Sequence, residues 1–359
     1  MNKSVPLLDV NGQLLSGWEK VELTFDMEAL PTSFQFDLYD KAGSVTRGLR
    51  TGLACNIMID NLLAGVRNKT VAPGFITSSN RSISDTTDTF TLVGYDKLGD
   101  IVDCAAVYPS QTWTRTKFSS IVKALLQPFG LKVDVTRLNP ADDIIIEKFT
   151  IQSGESAFSS IERLCRSRAV LPMSTFDGNL LLGYAATPTE RAVNLEMGVN
   201  IKQLDQTVSW EERFSTYTGL SQYPGNGKKW SKSVLQNKAE AYDVGVDRYR
   251  PMLFIAESKE DRKGLDKRVK WEAQVRSGRA TEYTATVSGW FQKNAAGIPT
   301  VLWEKNKRTN LRYDEWDINK EVLITKVVMT LDEGGENTVL TLKHPDVFKQ
   351  DPTEVVDLT

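Results

Sequence analysis

The sequence predicts a mainly β protein with α+β parts, organised as several small modules. Three observations lead there. Apolar residues alternate with period two near both ends of the chain, helix-period stripes are confined to the middle and one late stretch, and 359 residues exceed what a single core usually organises.

Sheet comes first. Val21, Leu23 and Phe25 alternate with polar residues, and the pattern returns at Phe34, Phe36 and Leu38 after the turn-like stretch Glu28 to Ser33. Leu53 to Asp60, Gly74 to Ser82 and Thr89 to Tyr95 read as further strands, the last two joined by Ser84, Asp85, Thr86, Thr87 and Asp88, which is turn chemistry. Short strands at that spacing predict a small barrel or sandwich over residues 1–104.

Residues 105–187 predict a small α+β module. Phe118, Ile121, Val122, Leu125, Leu126 and Phe129 form one apolar stripe that Thr116 can cap, with Pro128 and Gly130 marking the end. A second helix is expected from Ser153 as cap, with Glu155 at its positive terminus and Phe158, Ile161, Leu164, Cys165 and Ala169 inward. Val170 to Thr175 and Leu180 to Tyr184, around Asp177 and Gly178, read as a hairpin.

Strands with an inserted charged helix are expected over residues 188–290, and a C-terminal antiparallel module over 291–359. Strands are read at Ile201 to Val208, Phe214 to Tyr217, Met252 to Ala256 and Tyr283 to Trp290, and later at Val301 to Trp303, Val322 to Leu331 and Thr338 to Lys343. The helix spans about Lys259 to Arg279. The passage from Phe25 through an acidic turn to Phe34 resembles that from Val208 through Glu211 and Glu212 to Phe214, which predicts a duplicated β-module.

Composition removes several function classes. A formal net charge of -2 over 44 basic and 46 acidic residues announces neither a nucleic-acid grip nor an acidic tail. No apolar run approaches the roughly 18 residues a membrane span needs, and Met1 to Val10 does not read as a signal peptide. Cys55, Cys104 and Cys165 are odd in number and far apart, so neither a disulfide framework nor a metal motif is expected, and folding in a reducing cytoplasm is. The single histidine, His344, precedes Pro345 at a strand end and reads as structural; triads and histidine-rich zinc sites need more.

Other constellations have plain readings. The turn Asp332 to Asn337 lacks the alternating spacing of a calcium loop. Gly225 to Lys229 is no phosphate loop, since Gln222 stands where the first glycine belongs and Lys229 replaces Ser/Thr. The basic residues Lys259, Arg262, Lys263, Lys267, Arg268 and Lys270 are interrupted by Glu260, Asp261, Asp266 and Glu272, while Leu265, Val269 and Trp271 offer a face to bury. Trp18, Trp113, Trp210, Trp271, Trp290, Trp303 and Trp316 read as core or interface, with Trp230 as an exposed aromatic.

In order along the chain, Gly17-Trp18, Gly94 to Lys97, Asp100 to Cys104, Pro128 to Leu131, Gln152 to Phe158, Glu162 to Arg166 and Asp177 to Leu180 make up a recurring set. Val287 to Trp290, Leu302-Trp303, Leu340 to Leu342 and Pro345 to Phe348 complete it. This order resembles the late tail protein family of contractile-tailed phages, typified by the phage Mu baseplate hub. The resemblance implies a trimeric ring: two related small β-barrels per chain, over residues 1–104 and 188–290, present a pseudo-sixfold face to a hexameric tail tube and a threefold face to the trimeric central spike. It implies as partners two further copies of the chain, the spike, the tube and other baseplate proteins, with DNA passing through unbound. It places the protein in the virion tail baseplate, assembled in the bacterial host cytoplasm.

The same resemblance implies no enzyme and no cofactor. No catalytic, cofactor-binding or metal residue is assigned, and no partner-contact residue is identified. Two other readings stay open. One is a baseplate-associated wall hydrolase or peptidoglycan-binding protein, since glycosidases need two spaced carboxylates and Phe149 to Arg166 is similar to a LysM-type segment. The other is an oligonucleotide-binding barrel.

Overall fold

The computed structural model describes residues 4–39, 46, 48–85, 88–166, 170–221, 237–256 and 262–348. Strand alternation translates directly into burial: in Lys20–Asp26 the residues Val21, Leu23 and Phe25 are buried while their neighbours are not, and Ser33–Tyr39 repeats this with Phe34, Phe36 and Leu38. The two strands pair antiparallel, Val21 opposite Phe36 and Leu23 opposite Phe34.

These strands sit in the middle of one 13-stranded sheet. From one end its order is Ile201–Val208, Thr281–Ser288, Gly335–Lys343, Ile318–Asp332, Lys20–Asp26, Ser33–Tyr39, Asp88–Asp96, Val66–Ile83, Ala54–Asn61, Val5–Val10 and Gln13–Leu15. Lys307–Tyr313 and the two-residue strand Leu195–Glu196 branch from it. The path is open: among the described residues no pairing closes either half into a barrel, which differs from the two barrels expected.

The reason lies in one strand. Ile318–Asp332 is 15 residues long and carries Gly335–Lys343 along one side. Its other side is divided, Ile318 to Ile324 pairing with Lys307–Tyr313 and Lys326 to Leu331 with Lys20–Asp26. The edge that a closing strand of its own half would need is thus taken by the first part of the chain. A single apolar core follows, running from Leu8 and Ile57 through Phe36 and Leu23 to Trp290, Val327 and Leu342.

The middle of the chain has a second, separate core. Helix α1 (Gly99–Asp103) leads to a ribbon of Thr112–Lys117 with Ile145–Thr150, helices α2 (Phe118–Leu126) and α3 (Ala157–Arg166), and a small sheet of Leu171–Ser174, Leu180–Gly183 and Val133–Asp134. The stripe read from α2 is buried as expected at Phe118, Ile121, Val122, Leu125 and Leu126, each worth about 1.5–3 kcal/mol relative to exposure. The helix runs into a 3-10 turn, Gln127–Phe129, and stops at Gly130, whose φ of 66° favours glycine.

Both caps differ from expectation. Thr116 lies in a strand and bonds the Thr114 carbonyl, while Asp143 caps α2 from a distant loop, its Oδ1 accepting from Ser119 N at 2.8 Å and its Oδ2 from Ser119 Oγ at 2.9 Å. A carboxylate serves the positive helix terminus better than a hydroxyl already committed to its own strand. In α3 the cap is Ser156, whose Oγ accepts from Ser159 N at 3.1 Å, and not Ser153. Ala169 lies outside the described residues.

Helix α4 (Arg262–Arg279) packs Leu265, Val269 and Ala273 against a three-stranded sheet of Asn237–Tyr242, Thr216–Ser221 and Pro251–Ile255. The proposed echo of the first hairpin does not hold. Val208 ends a strand of the large sheet, the bond from Ser209 N to the Ala280 carbonyl extending that ladder by one step, whereas Phe214 leads into this separate small sheet.

Candidate functional site

The chain holds its parts together at a polar joint around Lys305. This residue follows the strand Pro299–Leu302, and its Nζ donates to the Asp26 carbonyl and to Ser174 Oγ, both at 2.7 Å. Asp26 ends a strand of the large sheet, and Ser174 ends a strand of the middle module. Ser174 Oγ lies 3.0 Å from Thr32 Oγ. Thr32 N in turn donates to Asp96 Oδ2 at 3.1 Å, and Leu98 N donates to Asp96 Oδ1 at 2.9 Å.

Four side chains, Lys305, Ser174, Thr32 and Asp96, thus come together from four stretches of chain in one hydrogen-bonded network. Burial pulls the Lys305 ammonium down to about 8, opposed by the nearby Asp96 and Asp26. Burial likewise pushes the Asp96 carboxyl up, opposed by its bonds from Thr32 and Leu98. Lys305 as a whole residue is partly exposed; it is the ammonium end that burial affects.

The next residue continues the joint. Asn306 Oδ1 accepts from Ala186 N at 2.6 Å, and its Nδ2 donates to the Tyr184 carbonyl at 3.0 Å. Arg308 Nε donates to the Ala186 carbonyl at 2.6 Å. The middle module's hairpin tip also reaches the sheet: Phe176 lies edge-on to Phe25 at 5.4 Å, and Lys69 stands over its ring. Gly178 passes so close to Pro73 that a Cβ would lie 2.9 Å from the proline ring.

A second bridge joins the chain's beginning to its end. Glu336 accepts from Ser4 N at 2.9 Å, from Ser4 Oγ at 2.7 Å and from Trp290 N at 2.7 Å. The turn Asp332 to Asn337 is therefore a structural clasp, in which Asp332 accepts from Gly334 N at 2.8 Å. Among the described residues no group of three or more His, Cys, Asp or Glu side chains could hold a metal.

The residues singled out in the sequence divide cleanly. His344 Nδ1 accepts from Asp346 N at 3.2 Å and shapes the 3-10 turn Pro345–Phe348. Cys55 and Cys165 are buried, their thiols pushed up by burial, Cys55 to about 12; Cys104 is exposed. Trp18, Trp290 and Trp303 are core, while Trp210 and Trp316 are exposed. Gln222 to Lys229, Trp230 and Lys259 to Asp261 lie outside the described residues. No described helix is long and apolar enough to cross a membrane.

Sequence reasoning missed the joint. Lys305, Asn306, Ser174, Thr32 and Asp96 are far apart in the chain, and no local pattern marks a lysine that will meet a distant carbonyl.

Comparison with known proteins covers most of the chain. The family descriptions "Mu phage baseplate assembly protein GpP-like, N-terminal", "Baseplate hub protein gp44-like, second domain" and "Mu phage baseplate assembly protein GpP, fourth domain" match residues 6–96, 98–184 and 262–351 in that order. The baseplate hub protein gp44 of Escherichia phage Mu is 29% identical over 348 residues, 95% of this chain and 88% of that protein. The solved 43 kDa tail protein of prophage MuSo2 from Shewanella oneidensis has a TM-score of 0.80 at 26% identity, over 96% of this chain and 99% of that one. The tail protein from Neisseria meningitidis MC58 has a TM-score of 0.81 at 22% identity, over 98% and 99%, a likeness in fold.

Proposed function

Because this chain belongs to the Mu-type baseplate hub family of contractile phage tails, we propose that it is the adaptor joining the hexameric tail tube to the trimeric central spike. It acts as a trimer, and its ring forms part of the channel through which DNA is ejected. The role is structural, the protein is a component of the virion tail, and assembly takes place in the host cytoplasm.

The observation that carries this reading is the order of matches: first, second and fourth domains of Mu baseplate proteins follow one another along the chain, with one relative aligned across 95% of it. The architecture supports it physically. A symmetry adaptor needs wide, rigid surfaces, and a 13-stranded sheet that ties the beginning of the chain to its end supplies a stiff frame. Rings arise when two different patches of one chain meet and close after a fixed number of copies.

The test is the mass of the purified protein by light scattering after size exclusion, alone and with the spike protein of the same tail. A mass of three chains alone, or of three chains plus a spike trimer in the mixture, supports the adaptor. A monomer in both conditions rejects it. Incubation with peptidoglycan tests the structural role separately: unchanged turbidity is expected, and clearance beyond a buffer control would return the hydrolase reading.

A further inference from the structure

Ten strands of the large sheet fall into two sets of five built on one plan. In the first half of the chain Lys20–Asp26, Ser33–Tyr39, Ala54–Asn61, Val66–Ile83 and Asp88–Asp96 follow one another, and they lie side by side in the order first, second, fifth, fourth, third. In the second half Ile201–Val208, Thr281–Ser288, Lys307–Tyr313, Ile318–Asp332 and Gly335–Lys343 do the same. Every pairing within both sets is antiparallel. The fourth strand of each set carries a bulge just past the end of its pairing with the third, between Ile76 and Ser78 in one set and between Ile324 and Lys326 in the other. The counterpart of Ser33–Tyr39 is therefore Thr281–Ser288, reached only after helix α4 and its three-stranded sheet.

The two ends of these sets differ. At one end the first strand turns into the second through residues 27–32 in the first half, but through the whole α4 unit, residues 209–280, in the second. The middle module leaves from this same end, after Asp96, and its Ser174 meets Thr32 there. At the other end both halves behave alike: the fourth strand returns as the fifth through a short turn, from Ile83 to Asp88 and from Asp332 to Gly335. The register sets both turns at that one end, with Leu331 opposite Val21, Val21 opposite Phe36 and Phe36 opposite Leu92. Each turn holds out an acid, Asp85 in the first and Glu333 in the second, both exposed.

We propose that the end carrying these two turns is the face that docks on the hexameric tail tube, and that Asp85 and Glu333 are equivalent contact groups for basic side chains of the tube ring. The inference rests on the trimeric adaptor reading above. Three copies present each turn three times, so two equivalent turns per chain give the six stations a sixfold partner requires. The opposite end, with one α4 unit and one middle module per chain, repeats only three times. An acid at every station fits a ring with basic groups at matching positions, where charges at the edge of a contact govern the rate and register of docking.

Co-sedimentation of the full chain with assembled tubes of the same tail tests this, and binding should weaken as salt is raised. Asp85→Lys and Glu333→Lys should each weaken binding to a similar degree, by at least about threefold, and together by at least about tenfold. Asp85→Asn combined with Glu333→Gln, which removes charge without reversing it, should weaken it less, and this pair decides if a reversal disturbs its turn. Leu253→Asp, at an exposed position of the α4 unit's strand Pro251–Ile255, should leave tube binding unchanged. Native-like binding by both double variants, or loss in Leu253→Asp alone, overturns the assignment of this face and leaves the adaptor standing. A loss from one turn with none from the other overturns the equivalence of the two. No binding of the native chain to tubes overturns the adaptor reading and this inference with it.

Discussion

Two buried charge arrangements in this chain solve the same problem in different ways. Arg213 and Asp243 form a closed pair, both fully buried, with Nε to Oδ2 at 2.7 Å and a second bond from Nη2 to Oδ1 at 2.9 Å. Both belong to the unit built around the small three-stranded sheet, and Asp243 also accepts from Gly245 N. Around Lys305 the charge is shared among a backbone carbonyl, a serine hydroxyl and two carboxylates from separate stretches of chain. The planar guanidinium matches one carboxylate and locks a local fold; the flexible ammonium bridges several parts with less geometric demand.

The largest effect should come from breaking the closed pair. Asp243→Ala leaves Arg213 buried without its counter-charge, and the cost should be about 3–5 kcal/mol in denaturant unfolding. A cost below about 1 kcal/mol would mean that the pair is no tighter than a surface bridge, and the contrast would collapse. Asn306→Ala should cost less, about 1–3 kcal/mol, because it orphans the Ala186 N–H and the Tyr184 carbonyl without stranding a charge. Its signature should be faster proteolysis within residues 170–186, with the three-stranded unit unaffected.

Smaller effects calibrate the scale inside one module. Asp143→Ala removes the cap of α2 and should lower stability by about 0.5–2 kcal/mol, whereas Thr116→Ala, which deletes the cap expected from the sequence, should cost less. Equal losses would return the cap to Thr116.

The smallest effect concerns an outlying bridge. Burial raises the Glu28 carboxyl, but bonds from Lys343 and Arg279 outweigh it, so its folded value is lowered overall. A lowered carboxyl contributes stability that is present above its unfolded value, about 4.3, and is lost as the pH falls through the folded value. The partly exposed setting limits the amount to about 0.2–1 kcal/mol. Native and Glu28→Gln proteins should therefore differ in thermal midpoint at about pH 6 and converge under strong acid, as scanning calorimetry would show.

Much of the secondary structure was legible in the residues. Val21, Leu23 and Phe25 announced their strand, and Phe118 to Leu126 their helix, because burial on one face imposes a period that local sequence must carry. The first strand pair Val5–Val10 and Gln13–Leu15 was missed; a proline at position 6 and a three-residue partner leave too little period to read. The order of family-like motifs was legible too, and it pointed to the baseplate hub family on which the comparisons converge.

What the sequence by itself determined is the local alternation and stripe of each element, the hairpin turns and the family. Only the tertiary structure decided that the halves share one open sheet through Lys20–Asp26 and Ile318–Asp332, and that Asp143 and Ser156 are the caps. It alone brought Lys305, Ser174, Thr32 and Asp96 together. The physical reason is range. Alternation is enforced by neighbours along the chain, whereas strand partners, the Asp143 cap and buried charges are chosen among groups outside any local window, where many pairings satisfy the same local pattern and only the packing of the whole selects one.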